Sequence, residues 1–225
     1  MKLRAPLITS ALIVACMLAV SIWAWPLIPD GARVAIHWGL DNQPNGFAPK
    51  EIALLIMPAG AVLLSFLFAL ILPLTGRAVI AKGATAYEIG WIGGVLLLAF
   101  IDVLVVMTAR GYRLDIGGDA ICAVALLITA LGNFLGRARP NPFVGIRTYW
   151  TLTSDYSWDR TNRAAGRMFV VTGLATLACL AVAGSSTAII VFLVAILSSV
   201  LAAVVLSFVY WRRDPDRRDG SAVPE

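Results

Sequence analysis

Residues 168–211, MFVVTGLATLACLAVAGSSTAIIVFLVAILSSVLAAVVLSFVYW, contain no charged side chain in 44 positions. A membrane-spanning helix takes about 20 apolar residues, so this block holds two. Gly184-Ser185-Ser186 near its middle is a natural turn. The stretch therefore predicts a tight helical hairpin in a bilayer. Working outward, four more apolar blocks appear, at residues 6–25, 52–74, 89–109 and 120–136. Pro58 and Pro73 are expected to kink or end the second, Asp102 is the lone charge of the third, and the fourth is short and closes on Gly132-Asn133.

Composition supports the same reading. Of 225 residues, 60% are hydrophobic and 14% charged, with a mean hydropathy of +0.85. Soluble chains average roughly 45–50% apolar and about 25% charged, so a water-soluble enzyme, a disordered chain and a typical nucleic-acid binder are excluded. The apolar residues come in continuous blocks, not in the alternation a membrane barrel needs. The expected fold is all-α: a polytopic membrane protein of six transmembrane helices. The first block has a small positive start, Lys2 and Arg4, but ends in Trp-Ala-Trp-Pro and not in a small-residue cleavage site. It is expected to stay as a helix.

Lysine and arginine set the orientation. With six spans, fourteen of them fall with the termini and the even-numbered loops, four on the other side. Both termini are therefore expected in the cytoplasm, in an inner (cytoplasmic) membrane. The net charge of +5 reflects this bias and implies no direct nucleic-acid partner. Cys16, Cys122 and Cys179 lie inside apolar blocks without metal-ligand spacing, and His37 is the only histidine. Neither a disulfide, a metal site nor a cofactor is expected, and no catalytic set emerges.

Two loops exceed the length of ordinary connectors. Residues 26–51, PLIPDGARVAIHWGLDNQPNGFAPKE, are expected to form an ordered outer loop, with a β-like run at residues 34–38 and a turn at Asn45-Gly46. Residues 137–167, RARPNPFVGIRTYWTLTSDYSWDRTNRAAGR, are expected to form an ordered cytoplasmic loop. Pro140 and Pro142 keep its start extended. Ser154 can cap a helix, on which Arg160, Arg163 and Arg167 face one way and Trp158, Ala165 and Phe169 the other. That segment is expected to lie at the interface before turning into the fifth span. Phe143, Ile146, Trp150 and Trp158 are expected to pack on the bundle. Three units follow: residues 1–74 as a helix pair with the outer loop, 75–211 as a four-helix region, and 212–225 as a disordered tail.

Gly132-Asn133, Arg139-Pro140-Asn141, Gly145-Ile146-Arg147-Thr148, Trp150-Thr151-Leu152, Trp158, Thr161, Arg163 and Gly166 together resemble the signature of the SdpI-type bacterial immunity proteins. Ile28-Pro29, His37-Trp38, Asn45-Gly46 and Lys50 resemble the small extracytoplasmic domain that commonly precedes it. Two departures stand out. Tyr149 occupies the place of a proline after Gly-Ile-Arg-Thr, and Asn162 that of a histidine before Arg163. The resemblance implies protection against a secreted toxic peptide outside, and recruitment of a repressor inside.

The candidate binding residues of the cytoplasmic loop are then Asn133, Arg139, Asn141, Arg147, Thr148, Trp150, Trp158, Thr161 and Arg163. The arginine forks suit carboxylate or phosphate, on lipid headgroups or on a protein. His37 and Trp38 are the outer candidates, either contacting a ligand or anchoring the loop. Asp102 is the intramembrane candidate. An ionised carboxylate in lipid is costly, so Asp102 is expected to face the bundle interior. That placement leaves open a different function, a small proton-linked transporter or export factor. The oligomeric state is not legible in the sequence.

Overall fold

The computed structural model describes residues 4–75, 84–141 and 144–218. Lys2, Arg77, Lys82, Pro142, Phe143 and the last seven positions of the tail lie outside the described residues. Six helices are long and apolar enough to cross a membrane. They are α1 (Arg4–Ala24), α2 (Lys50–Thr75), α3 (Ala84–Ala109), α4 (Ile116–Leu135), α6 (Asp155–Ala183) and α7 (Ser185–Arg212). A four-residue helix, α5 (Tyr149–Leu152), lies in the loop before α6, and strands β1 (Arg33–Trp38) and β2 (Pro44–Pro49) pair antiparallel between α1 and α2.

Helix α2 runs through both prolines. Pro58 has no N–H to give the carbonyl of Leu54 one turn back. Ser21 of α1 supplies the missing donor: its hydroxyl bonds Leu54 O at 2.8 Å. A neighbouring serine that satisfies the freed carbonyl is what lets proline stay inside a membrane helix.

Helices α1, α2 and α3 enclose two apolar clusters. One gathers Met17, Ala61, Tyr87, Trp91 and Val95, with Phe68, Tyr87 and Trp91 in mutual ring contact at 5.1–6.2 Å. The other joins the helix ends to the hairpin through Ala24, Ile28, Val34, Ala48, Leu54, Val105 and Val106. Asn45-Gly46 does not make the turn. Both residues lie in β2, and the chain reverses at Gly39–Gln43, with Gly39 N bonded to Gln43 O and Asn42 at φ 58°. Gly46 is instead required by close pairing: a Cβ there would sit 2.9 Å from His37 Cβ.

Helices α4 and α6 cross backbone to backbone. A Cβ on Gly132 would lie 2.7 Å from Gly166 O, and one on Gly166 2.5 Å from Gly132 O. Gly132-x-x-x-Gly136 is thus a true packing seam. The interfacial helix expected before the fifth span does not turn: α6 is continuous from Asp155 to Ala183. Ser154 caps it by accepting from Ser157 N at 2.9 Å, and no residue between 155 and 167 breaks the helix. Its arginines stay exposed, while Trp158 and Ala165 are buried. Gly184 alone, at φ 81°, reverses the chain into α7.

The tail differs from its composition. Residue 212 ends α7 and residues 213–218 fold back. Buried Asp214 accepts from the Ser154 hydroxyl at 2.5 Å, and Arg218 N bonds Thr153 O at 3.0 Å.

Candidate functional site

The polar contacts of the two long loops form two groups at opposite ends of the bundle. At the hairpin end, Asn42 Oδ1 accepts from Gly117 N at the start of α4 (2.9 Å), and Ser186 at the start of α7 donates to Leu40 O (2.5 Å). The turn of the hairpin is thereby tied to two helices of the other half. Between them lies a cleft of about 480 Å³, walled by Ile36, His37, Trp38, Leu40, Leu104 and Ile189 among others. Its size falls within the roughly 300–1,000 Å³ of small-ligand sites. His37 Nδ1–H donates across the hairpin to Asn45 Oδ1 at 2.5 Å, which fixes the ring beside the cleft. Lys50 is buried, bonds Ile28 O at 3.2 Å and pairs with the exposed Asp30 carboxylate. That hydrogen bond and the ammonium charge hold the Asp30 carboxyl below its ordinary value.

At the other end, residues 137–154 form a braced loop. Asn141 is buried and bonds the backbone at Arg139 O (2.8 Å), Val144 O (3.1 Å) and Val144 N (2.8 Å). Trp158, 1% exposed, donates its ring N–H to Ala138 O at 2.7 Å. Asn162 accepts from Ile146 N at 2.7 Å and donates to Trp158 O at 3.0 Å. Gly145 at φ 133° passes over this pair, where a Cβ would meet Asn162 Oδ1 at 2.7 Å. Thr148 and Thr151 form the capping box of α5, and Thr148 donates to the hydroxyl of Ser207 on α7 (3.0 Å). Trp150 packs on Phe208 at 5.1 Å between ring centres. Thr161 is fully buried, with no hydrogen bond to its hydroxyl among the described residues.

Asn141, Thr148, Trp150 and Trp158 therefore hold the loop together, Thr161 is buried on α6, and the five do not form one open binding face. Arg139 and Arg147 are exposed. Asn133 and Arg163 do meet, on a groove with Gly132, Gly136, Arg137, Gly166 and Arg167. Sequence reading passed over Arg137 and Arg167 as topology charges. The signal for them was the Gly132–Gly136 spacing, which removes the side chains that would have filled the groove. Asn42 and Ser186 carried no local signal, since their partners are distant in sequence.

Asp102 is 0% exposed, and neither carboxylate oxygen has a hydrogen-bond partner among the described residues. It lies one helical turn before Val106 and two after Val95, on the face of α3 turned to the interior. No group of three His, Cys, Asp or Glu side chains among the described residues could hold a metal ion.

Six apolar spans, a hairpin at one end and a braced loop at the other define a multi-pass membrane protein. Comparison with known proteins says of which kind. Residues 137–210 match the SdpI/YfhL protein family, and residues 12–62 match a domain of unknown function, DUF1648. The chain is 23% identical over 206 residues to the immunity protein SdpI of Bacillus subtilis (strain 168), covering 92% of this chain and 96% of that one. No solved structure matches. The resemblance to SdpI-type proteins read from the motifs thus holds, and the chain is a multi-pass bacterial membrane protein. The first match spans the braced loop, α5, α6 and nearly all of α7. The second spans the hairpin, most of α1 and the first half of α2.

Proposed function

We propose that this is an immunity-type membrane protein. Its hairpin end faces outward and receives a secreted toxic peptide in the cleft beside His37 and Trp38. Its loop end faces the cytoplasm and presents Arg139 and Arg147 to a repressor. The observation that carries this reading is α7. At one end Ser186 holds the hairpin turn, and at the other Ser207 holds α5 through Thr148 and α6 through the Ser157 hydroxyl (2.7 Å to Ser207 O). One helix thus touches both the receiving and the presenting surface, as a receptor requires. No catalytic step belongs to this reading. The cationic excess of the loop end favours the inward orientation, and reporter fusions after Asn42 and Tyr149 report opposite compartments if it is right.

The test is survival of cells carrying the protein when exposed to secreted membrane-active peptides, with protein abundance measured in parallel. Trp38→Ala should abolish protection at unchanged abundance. Arg147→Ala should leave protection and remove repressor retention at the membrane. Full protection by Trp38→Ala would overturn the assignment of the cleft.

Asp102 supports a second reading, proton-linked transport, because a buried carboxylate without a partner is costly to keep unless it acts. Asp102→Asn separates the two. It preserves shape and should leave a receptor nearly unaffected, whereas a proton-linked transporter loses activity.

A further inference from the structure

The glycine seam between α4 and α6 leaves a groove of about 920 Å³ whose lining changes character along its length. Gly132, Gly136 and Gly166 form its floor, because the two backbones touch there and no side chain can be inserted. Val170 and Val171 wall one end, and Asn133, Arg137, Arg163 and Arg167 surround the other. The level of this change can be fixed from sequence. From Met168 to the end of α6 no charge occurs, and α4 has none after Asp119 until Arg137 follows it. Arg137 and Arg167 therefore stand where the hydrocarbon of a bilayer ends, and Val171, 66% exposed, faces acyl chains.

The cations are not equivalent. Arg163 is chelated by Asp159 through three contacts of 2.6–3.0 Å, one turn back on α6, so its charge is largely matched. Arg137 lies over the ring of Phe134 at 5.1 Å. Neither Arg137 nor Arg167 forms an ion pair among the described residues. Two guanidinium groups without counter-ions flank an amide, Asn133, at the mouth of an apolar furrow that opens sideways to lipid.

We propose that this groove is a binding site for one anionic phospholipid, with its phosphate between Arg137 and Arg167 and an acyl chain along Val170 and Val171. The guanidinium fork suits phosphate oxygens, and basic pockets between membrane helices take anionic headgroups on the cytoplasmic side. A soluble phosphate would satisfy the arginines and leave the furrow empty. A zwitterionic lipid would fill the furrow but bring its own cation against the arginines. An anionic lipid meets both halves. The proposal rests on the six helices spanning a membrane and is independent of toxin recognition.

The test uses the full chain in detergent micelles doped with phosphatidylglycerol or with phosphatidylcholine, and bound lipid is counted by native mass spectrometry. Phosphatidylglycerol should be retained in preference. In the double variant Arg137→Gln/Arg167→Gln its affinity should fall about thirtyfold, roughly fivefold for each arginine near a charged membrane surface. Arg213→Gln, an exposed cation at the same end but off the groove, should have little effect. Both altered side chains of the double variant are exposed, and an unchanged gel-filtration profile confirms that it folds. Equal retention of the two lipids, full retention by the double variant, or an equal loss with Arg213→Gln overturns the proposal. Complete competition by glycerol 3-phosphate also overturns it, by showing a soluble-anion site.

Discussion

Trp158 ties the braced loop to the bundle, and changing it should loosen the loop before it unfolds the protein. The ring is 1% exposed, donates to Ala138 O at 2.7 Å and lies under Gly145, where an added Cβ would come within 3.0 Å of it. Trp158→Phe keeps most of the ring and removes the donor. The buried carbonyl of Ala138 then loses the indole donor, a loss of about 1–3 kcal/mol. Trp158→Ala also removes the packing, and truncating a buried tryptophan costs about 3–5 kcal/mol. Limited trypsin digestion at Arg147, on the exposed side of the loop, reads the local opening. Where opening and closing are fast, cleavage follows the open population. With about 1.4 kcal/mol per tenfold, Trp158→Phe should raise the rate by roughly 5- to 150-fold, and Trp158→Ala by more. Both should still insert into the membrane, since the uncharged stretch of α6 from Met168 onward is unchanged. Cleavage at the wild-type rate in Trp158→Ala would mean that the indole is not what holds the loop.

Three further outcomes follow from single contacts. Gly166→Ala places a Cβ 2.5 Å from Gly132 O. Forcing α4 and α6 apart should cost about 1–3 kcal/mol, seen as a lower melting temperature in detergent; an unchanged melt would show that the seam is loose. Ser21→Ala strips Leu54 O of its donor and should destabilise by about 1–3 kcal/mol in the native background. In a Pro58→Ala background, where a backbone N–H is restored, the same change should cost much less, so additive effects across that double-mutant cycle would refute the substitution of serine for the helix bond. The Asp30 carboxyl is held below its ordinary value by Lys50. A lowered folded-state pKa adds stability that is full above the ordinary carboxylate value and is lost as pH falls through the lowered one. Lys50 also lies 5.3 Å from the Trp25 ring. Trp25 emission should therefore hold steady at pH 5 and shift only under strong acid, and Asp30→Asn should remove that acid step while leaving neutral emission near that of the wild type.

What could be read from the sequence was what the lipid dictates. A helix in hydrocarbon must satisfy its own backbone and expose apolar side chains, so residues 168–211 announce two spans and Gly184 the turn between them. The glycines at 132 and 136 gain their meaning only from the close crossing of α4 and α6. The Ser154 cap at the start of α6 was legible, but the straight course of the helix was not, because no local residue distinguishes a helix that turns into the membrane from one that runs straight on. Asn45-Gly46 has turn chemistry, yet it pairs inside β2, since close contact with His37 demands glycine more than the reversal does. The hairpin anchors and the docked tail depend on partners 75, 146 and 60 positions away in sequence (Asn42 with Gly117, Leu40 with Ser186, Ser154 with Asp214). No periodicity encodes such pairs.

The two departures from the SdpI-type signature have a common structural account. Tyr149 is the first residue of α5, immediately after the Thr148 cap. A proline is favoured at that position because its N–H is not needed and its φ is already helical. Tyrosine gives up that preorganisation and gains a ring contact with Trp211 at 6.2 Å, so the short helix keeps its place against α7. Asn162 stands where the signature has histidine, at a site that asks for one acceptor toward Ile146 N and one donor toward Trp158 O. A neutral imidazole offers one of each, and so does a carboxamide. The carboxamide meets both needs without any change of protonation. The position therefore works as a strut for the loop, and it does so here without a titratable side chain.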